Sequence, residues 1–357
     1  MGSRAREQYK RPVDEHFPER LEMPGFRKAL PLRYGHNPRG PAAFYVEDGA
    51  SGSNMSSFKV PQAGKGLGYI NVGDMDLGQR VVREIQLLKP EAVPYCIVKH
   101  EIPSGVALSA DVNSAFEKAW GCDSLSSFGG VHVTHGTVDK SLAERLIDRE
   151  FFVEVIYAPN FTAEALEILR SREALRVVQM PKPDQSPIDN GLEYKRVAGG
   201  MLVESRTPSR ILFPEDLECI AGKPTSEDYE AALLMWQVAR WTRSNAVVIG
   251  TADRTHGIGA GQQSRIDAAY MAIRKANGRD NTNLAYGSQG AVLASDGFFV
   301  QNDVVKLAAD NGVRGVVAPL GSVNDEVIIA EADRRGLFFL ATRRKGEQDS
   351  ERGFLHR

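Results

Sequence analysis

The stretch DYEAALLMWQVARWTRSNAVVI, residues 228–249, decides the fold class. Apolar residues recur at helical spacing from Asp228 to Arg243, Ser244-Asn245 interrupts them, and Ala246 to Ile249 is a short apolar run rich in β-branched residues. A helix with one packing face, followed directly by a buried strand, is the repeating unit of a layered α/β protein. The two patterns alternate along the chain. Strands are predicted at Tyr95 to Val98, Phe152 to Ala158, Val177 to Met180, Gly315 to Leu320 and Leu337 to Ala341. Helices are predicted at Asp139 to Phe151, Thr162 to Arg170, Ile266 to Ala276 and Asp325 to Arg335. This alternation predicts helices on the faces of a sheet.

With 357 residues, 42% hydrophobic and 25% charged, the chain can bury a core large enough for two domains. Pro181 to Leu192, with three prolines among several Asp and Asn, is the most polar, turn-rich stretch and predicts a boundary. It divides the chain into a first domain over residues 26–185 and a second over residues 186–357. Residues 1–25, with Arg4, Arg6, Lys10 and Arg11, lack periodicity and read as a flexible arm. No repeat of fixed period is visible, and Gly49 to Ser57 reads as a loop.

Lys and Arg number 44 against 46 Asp and Glu, a formal charge of -2, so no global basic surface exists to hold a nucleic acid. No run approaches the roughly 18 to 20 apolar residues of a membrane helix, and Met1 to Arg20 is charged throughout rather than leader-like. Cys96, Cys122 and Cys219 are odd in number and far apart, which argues against a disulfide framework and for a reducing, cytoplasmic location.

Six short constellations carry polar chemistry. Lys99-His100 closes a predicted strand ahead of the turn-forming Pro103-Ser104-Gly105, the place where α/β proteins hold ligands. A neighbouring Lys cation disfavours the imidazolium and would keep His100 neutral and able to accept a proton, although Lys-His pairs at strand ends are more often solvated surface. Arg33-Tyr34-Gly35-His36-Asn37-Pro38 clusters polar groups at a turn, either a solvated loop or a bidentate Arg site for phosphate. Ser244-Asn245 lies between helix and strand, where an Asn amide can donate to an oxyanion or cap a turn.

The run His256-Gly257-Ile258-Gly259-Ala260-Gly261-Gln262-Gln263-Ser264-Arg265 departs from a dinucleotide fingerprint in the spacing of its third glycine and in lacking the following acidic residue. What remains is a loop whose backbone can approach a ligand, with Gln263 and Arg265 beside it. Phe298-Phe299, ahead of Asp303, reads as one core residue and one lid or as a stacking wall. Ser322 follows a strand and reads as a helix N-cap or as part of an anion site. Neither His-x-Glu with Pro-Cys-x-x-Cys nor a His-x-x-x-His pair occurs, so no catalytic metal is expected.

The order of these signals is more specific than any one of them. Leu32-Arg33-Tyr34-Gly35-x-Asn37-Pro38, Gly68-Tyr69-Ile70-Asn71, Ile97-Val98-Lys99-His100-x-x-Pro103-x-Gly105, Ser126-Ser127-Phe128-Gly129, Ser244-Asn245-Ala246, Gly257 to Arg265 and Ser295-Asp296-x-Phe298-Phe299 follow one another from roughly residue 30. In that order they resemble the aminoimidazole carboxamide ribonucleotide (AICAR) transformylase domain of the bifunctional purine biosynthesis enzyme family. The resemblance implies two three-layer α/β domains of cytidine-deaminase-like topology without zinc, and a homodimer with active sites shared between subunits. It implies formyl transfer from 10-formyltetrahydrofolate to the 5-amino group of AICAR. That amine is a poor nucleophile, so a base must act as the bond forms and donors must hold the oxyanion.

By the same resemblance His100 matches the proton acceptor, Lys99 the transition-state stabiliser and Asn245 the amide that positions the amine. Arg33, Tyr34, Gly129, Glu154 and Arg265 match nucleotide-binding positions. Arg352 and Phe354 match the family's closing motif once a short insertion after Thr342 is allowed. Ile266, Phe298, Asp303 and Ser322 match the folate side, and a structural potassium ion is implied. Two stretches depart from the family: Glu101-Ile102-Pro103-Ser104-Gly105 stands where Asn-Pro-Cys-Gly or Asn-Pro-Ala-Gly is usual, and Val300-Gln301-Asn302-Asp303 stands for Pro-Phe-Arg-Asp. About thirty residues precede Arg33, which predicts a chain without the cyclohydrolase domain and a separate inosine monophosphate (IMP) cyclohydrolase in the pathway.

Overall fold

A computed structural model describes residues 17–181, 192–205, 213–278 and 286–342. Most of the predicted arm, most of the boundary segment, Arg352 and Phe354 lie outside the described residues. The chain opens with a ribbon of β1 (Phe26–Leu32) and β2 (Ala42–Glu47), then β3 (Lys59–Gln62) and helix α1 (Tyr69–Leu88). The hairpin β4 (Val93–Lys99) and β5 (Ile102–Ser109) leads to α2 (Val112–Trp120), the single turn α3 (Ser124–Ser127), β6 (Gly130–Thr134) and β7 (Thr137–Val138). Next come α4 (Lys140–Ile147), β8 (Val153–Ala158), β9 (Asn160–Phe161), α5 (Ala163–Arg170) and β10 (Arg176–Gln179).

A second ribbon, β11 (Leu192–Val197) and β12 (Gly200–Ser205), precedes β13 (Glu218–Ala221) and α6 (Ser226–Arg240). The hairpin β14 (Val247–Thr251) and β15 (Arg254–Gly259) is followed by α7 (Arg265–Ala276), β16 (Val292–Ser295) and α8 (Asp303–Asp310). The described chain ends with β17 (Gly315–Ala318), α9 (Asp325–Arg334) and β18 (Phe338–Ala341). Every predicted strand and helix is present. The helix predicted to Phe151 stops at Ile147, where Asp148 leaves helical backbone. Side-chain oxygens of Asp111, Asp139, Thr162, Thr225 and Ser264 accept a backbone N–H in the first turn of their helices, which fixes where those helices begin.

Among the described residues one mixed sheet of twelve strands has the order β13-β18-β17-β16-β14-β15-β5-β4-β6-β8-β10-β3. The order reads as one plan used twice. In each half an edge strand is antiparallel to its neighbour, two parallel pairings follow, then one antiparallel pairing, and an antiparallel hairpin closes the series. The helices fall in the same order, so α1, α2, α4 and α5 of the first half correspond to α6, α7, α8 and α9 of the second. The halves meet where β5 pairs antiparallel with β15, at Ala107 and Arg254. β4 and β14 therefore run in opposite directions, and the carboxyl end of β4 lies at the same end of the sheet as the amino end of β14.

The glycine run predicted as a ligand-approach loop is mostly strand. Gly257 and Gly259 lie in β15, where a Cβ would strike the Ala272 and Ala268 carbonyls of α7. Their bare backbone serves close packing of helix on sheet. Only Gly261, with φ of 67°, lies in the turn beyond the strand.

Three buried clusters fill the layers. One joins α1 and α6 to one sheet face and spans both halves, with Met75, Val81 and Ile85 beside Leu234, Trp236 and Val248. The other two lie on the opposite face, one under α2, α4 and α5 and one under α7, α8 and α9. Within the shared cluster the Glu84 carboxylate accepts from Arg240 Nη1 at 2.8 Å and from Trp241 Nε1 at 2.7 Å. Burial pushes the Glu84 carboxyl up while Arg240 pulls it down. Removing one partner of a buried pair strands the other. Glu84→Ala is expected to lower unfolding free energy by about 3 kcal/mol in urea denaturation, with both halves still lost in one transition.

Candidate functional site

A cavity of about 310 Å³ opens at the carboxyl end of β4, lined by Tyr34, Gly68, Ile70, Asn71, Asp74, Lys99, His100, Phe128, Gly129, Phe152 and Glu154. Lys99 pairs with Ile102 across the β4–β5 hairpin, so His100 and Glu101 are the two residues of its turn. Their φ angles are 56° and 59°, and they are the only non-glycine residues with positive φ among those described. A two-residue hairpin turn with both φ positive favours Asn-Gly, and left-handed backbone costs an ordinary L-residue roughly 1 to 2 kcal/mol. Here the imidazole sits on that turn, exposed to the cavity. Strain of this kind concentrates where function needs a side chain in one place.

Lys99 Nζ donates to the Phe128 carbonyl at 2.6 Å. Beside it Gly129 has φ of 76°, and a Cβ there would lie 3.8 Å from the ammonium and against the Phe152 ring. The Phe128 and Phe152 rings are 5.2 Å apart, and both side chains are exposed large hydrophobics. They form the aromatic wall of this cavity. Glu154 Oε2 accepts from Asn71 Nδ2 at 3.0 Å and lies 3.7 Å from Arg176 Nη1, whose Nε donates to the Gly66 carbonyl. Asn71 Oδ1 in turn accepts from Gly68 N at 3.0 Å. The carboxylate is therefore oriented from two sides.

Asp74 projects from α1 beneath the turn, and its Oδ1 accepts from Glu101 N at 2.6 Å. Burial raises its carboxyl from 3.8 to about 7, against the backbone N–H groups of Glu101 and His100 that lower it; the charges of Glu101 and Glu154 raise it further. Neither Asp74 nor the Phe128–Phe152 pair was among the predicted site residues. Asp74 is at helical spacing with the apolar positions Leu77, Val81 and Ile85 of α1, which marks it as buried but does not point to the β4–β5 turn. Of the predicted residues, Tyr34, Lys99, His100, Gly129 and Glu154 line the cavity. Arg33 is exposed next to it, its guanidinium 5.4 Å from the Tyr34 ring centroid.

The remaining predicted residues gather elsewhere. Arg265 Nη2 lies 3.0 Å from Asp296 Oδ1 and Nη1 donates to the Phe298 carbonyl at 3.1 Å. Ser244 Oγ donates to the other Asp296 oxygen, and Asn245 Nδ2 donates to the Gln262 and Gln263 carbonyls at 2.8 and 3.2 Å. Phe299 is 2% exposed in the core and Phe298 is half-buried, so the two do not form a wall together. Asp303 begins α8, and Ile266 packs against the second half's core. Ser322 is not the N-cap of α9; Asn324 holds that position, and Ser322 Oγ accepts from Asn324 N at 3.2 Å. This group shares the sheet end of His100 but contributes nothing to the cavity lining.

The second half has a corresponding hollow of about 390 Å³ at the opposite end of the sheet. There Thr251 and Ala252 stand at the positions of Lys99 and His100, and Arg314 bonds Asp228 at 2.7 Å where Glu154 meets Asn71. It retains the shape without the imidazole.

The sequence model of the family described as AICARFT/IMPCHase bienzyme matches residues 4–275. Three similar proteins carry the name bifunctional purine biosynthesis protein PurH. That of Neisseria gonorrhoeae (strain NCCP11945) is 36% identical over 91% of this chain and 59% of its own length. The Fusobacterium nucleatum protein is 38% identical over 91% of this chain and 60% of its own. The Sorangium cellulosum protein is 38% identical over 92% and 60%. The chain thus spans about three fifths of the length of these relatives.

A carboxyl at about 7 in the fold and 3.8 ordinarily stays protonated in the folded protein over a range where the unfolded chain has released the proton. Its stabilising contribution is complete below the lower value and lost as pH rises through the upper one. The melting temperature of Asp74→Asn relative to wild type is therefore expected to rise between pH 4.5 and pH 8. A difference that falls over that range in paired thermal melts would contradict the assignment.

Proposed function

The chain belongs to the AICARFT/IMPCHase bienzyme family, and on that premise we propose that it transfers the formyl group of 10-formyltetrahydrofolate to the 5-amino group of AICAR. The observation that carries this reading is the cavity in which Lys99, His100, Asn71, Glu154 and an aromatic pair converge. The AICAR amine attacks the formyl carbon, and the carbonyl oxygen becomes an oxyanion. His100 takes the proton the amine must lose. The oxyanion then collapses, the bond from carbon to folate N10 breaks, and N10 takes the proton that His100 accepted, leaving as tetrahydrofolate. Lys99 supplies the nearby positive charge that favours the oxyanion.

Glu154, held by Asn71 and Arg176, can accept from the nucleotide's polar N–H or O–H groups. Phe128 and Phe152 offer a flat apolar surface to its heterocycle. Tyr34, Arg33 and Gly129 complete the nucleotide side, and Phe298, Ile266, Asp303 and Ser322 form the folate side. Because Asn245 and Arg265 lie at the same sheet end without lining the cavity, the reading includes a homodimer in which one copy's Asn245 loop faces its partner's His100. It also includes two cytidine-deaminase-like domains, over residues 26–185 and 186–357, consistent with the repeated strand plan. Closing the ring of formyl-AICAR to IMP is a second reaction, assigned to a cyclohydrolase outside these residues.

The test is tetrahydrofolate release, followed by absorbance, from 10-formyltetrahydrofolate with and without AICAR. AICAR-dependent release is expected, with His100→Ala reducing it by about a thousandfold. Release that is independent of AICAR, or undiminished in His100→Ala, would overturn the assignment. Mixing His100→Ala with Asn245→Ala protein under subunit exchange should restore turnover that neither variant has alone.

A further inference from the structure

We propose that Asp74 is a positioning residue for His100: from the first turns of α1 its carboxylate holds the β4–β5 turn in left-handed backbone and so fixes the imidazole over the cavity. The inference rests on the formyl-transfer reading above, because it concerns how that reaction's base is held. Asp74 is 3% exposed, and its Oδ1 accepts from Glu101 N at 2.6 Å. The His100 backbone N–H lies near enough to lower the same carboxyl. Both N–H groups belong to the two residues whose φ is positive. Glu101, unlike Asn or Gly, does not favour that conformation locally, so the restraint on it has to come from outside the turn.

The second half of the molecule is an internal control. Asp74 lies six residues after the helix N-cap Gly68, and the residue six after the N-cap Thr225 of α6 is Ala231. The corresponding two-residue turn is Ala252-Asp253, and neither residue has positive φ. The half with the carboxylate has the left-handed turn; the half with a methyl group in its place does not. Two further details tie the first-half turn to α1. Gly73 leaves room for the Glu101 carboxylate, since a Cβ on Gly73 would lie 2.9 Å from Glu101 Oε1. Asp74 and His100 both line the same cavity.

The experiment compares wild type, Asp74→Ala, Asp74→Asn and the double variant Asp74→Ala, Glu101→Gly. A glycine after His100 adopts positive φ without help, so it should replace what the carboxylate does. Asp74→Ala is expected to lower kcat about a hundredfold with KM for both substrates changed by less than about threefold, as for a displaced catalytic group. Asp74→Asn, which keeps an accepting oxygen, should lose less than about tenfold, and the double variant should regain at least about tenfold over Asp74→Ala.

Carbon-13 NMR of the His100 ring without substrate reads the same property independently of turnover. One narrow signal is expected in wild type and in the double variant, and a broadened or multiple signal in Asp74→Ala. Absence of wild-type turnover would defeat the formyl-transfer reading, while the ring signals would still decide the role of Asp74. The proposal is overturned by a raised KM with unchanged kcat, by an Asp74→Ala ring signal like wild type, or by a double variant that neither folds nor regains turnover.

Discussion

The pairing of β5 with β15 is the constraint on which the rest of the molecule depends. It joins two copies of one strand plan edge to edge, and it does so antiparallel. Had the join been parallel, the two equivalent hollows would sit at one end of the sheet. As built, each half's hollow faces the connecting loops of the other half. The His100 cavity consequently shares its sheet end with the Asn245, Arg265 and Phe298 group, which comes from the ends of β14, β15 and β16 rather than from the counterpart of the His100 turn.

The two halves have diverged in opposite electrostatic directions around that frame. In the first, Asn71 presents Glu154, and two acidic side chains, Asp74 and Glu154, line a cavity that also holds Lys99 and His100. In the second, Asp228 and Arg314 satisfy each other across the hollow. An ion pair that closes on itself leaves little for a ligand, whereas an oriented carboxylate with an open face retains its accepting capacity. The shared helix layer of α1 and α6, with Glu84 held by Arg240 and Trp241, ties both halves into one packing unit.

The layered α/β class and its buried strands were legible because apolar β-branched runs such as Ala246 to Ile249 are short, continuous and bounded by turns. Helix α1 was not, because Asn71, Asp74, Gly78 and Gln79 occupy its buried face and break the apolar stripe. Strand β15 was hidden for a similar reason: Gly257 and Gly259 read as loop residues, and only the α7 carbonyls against them explain their bareness. Five of the fourteen predicted site residues converge on the His100 cavity. Asp74 acts through backbone groups far away in sequence, a relation no local spacing carries.

The ends of the sheet order have a bearing on whether sheets of separate copies can join. The edge strands β3 and β13 are each four residues long and each departs from regular register with its neighbour. Pro61 further deprives β3 of a donor. Such short, irregular margins resist strand addition, the route by which open sheets polymerise. A twelve-stranded array is thereby kept finite, and a second copy that did bind would have to use loop ends and helix layers, where side-chain identity rather than generic backbone pairing selects the partner.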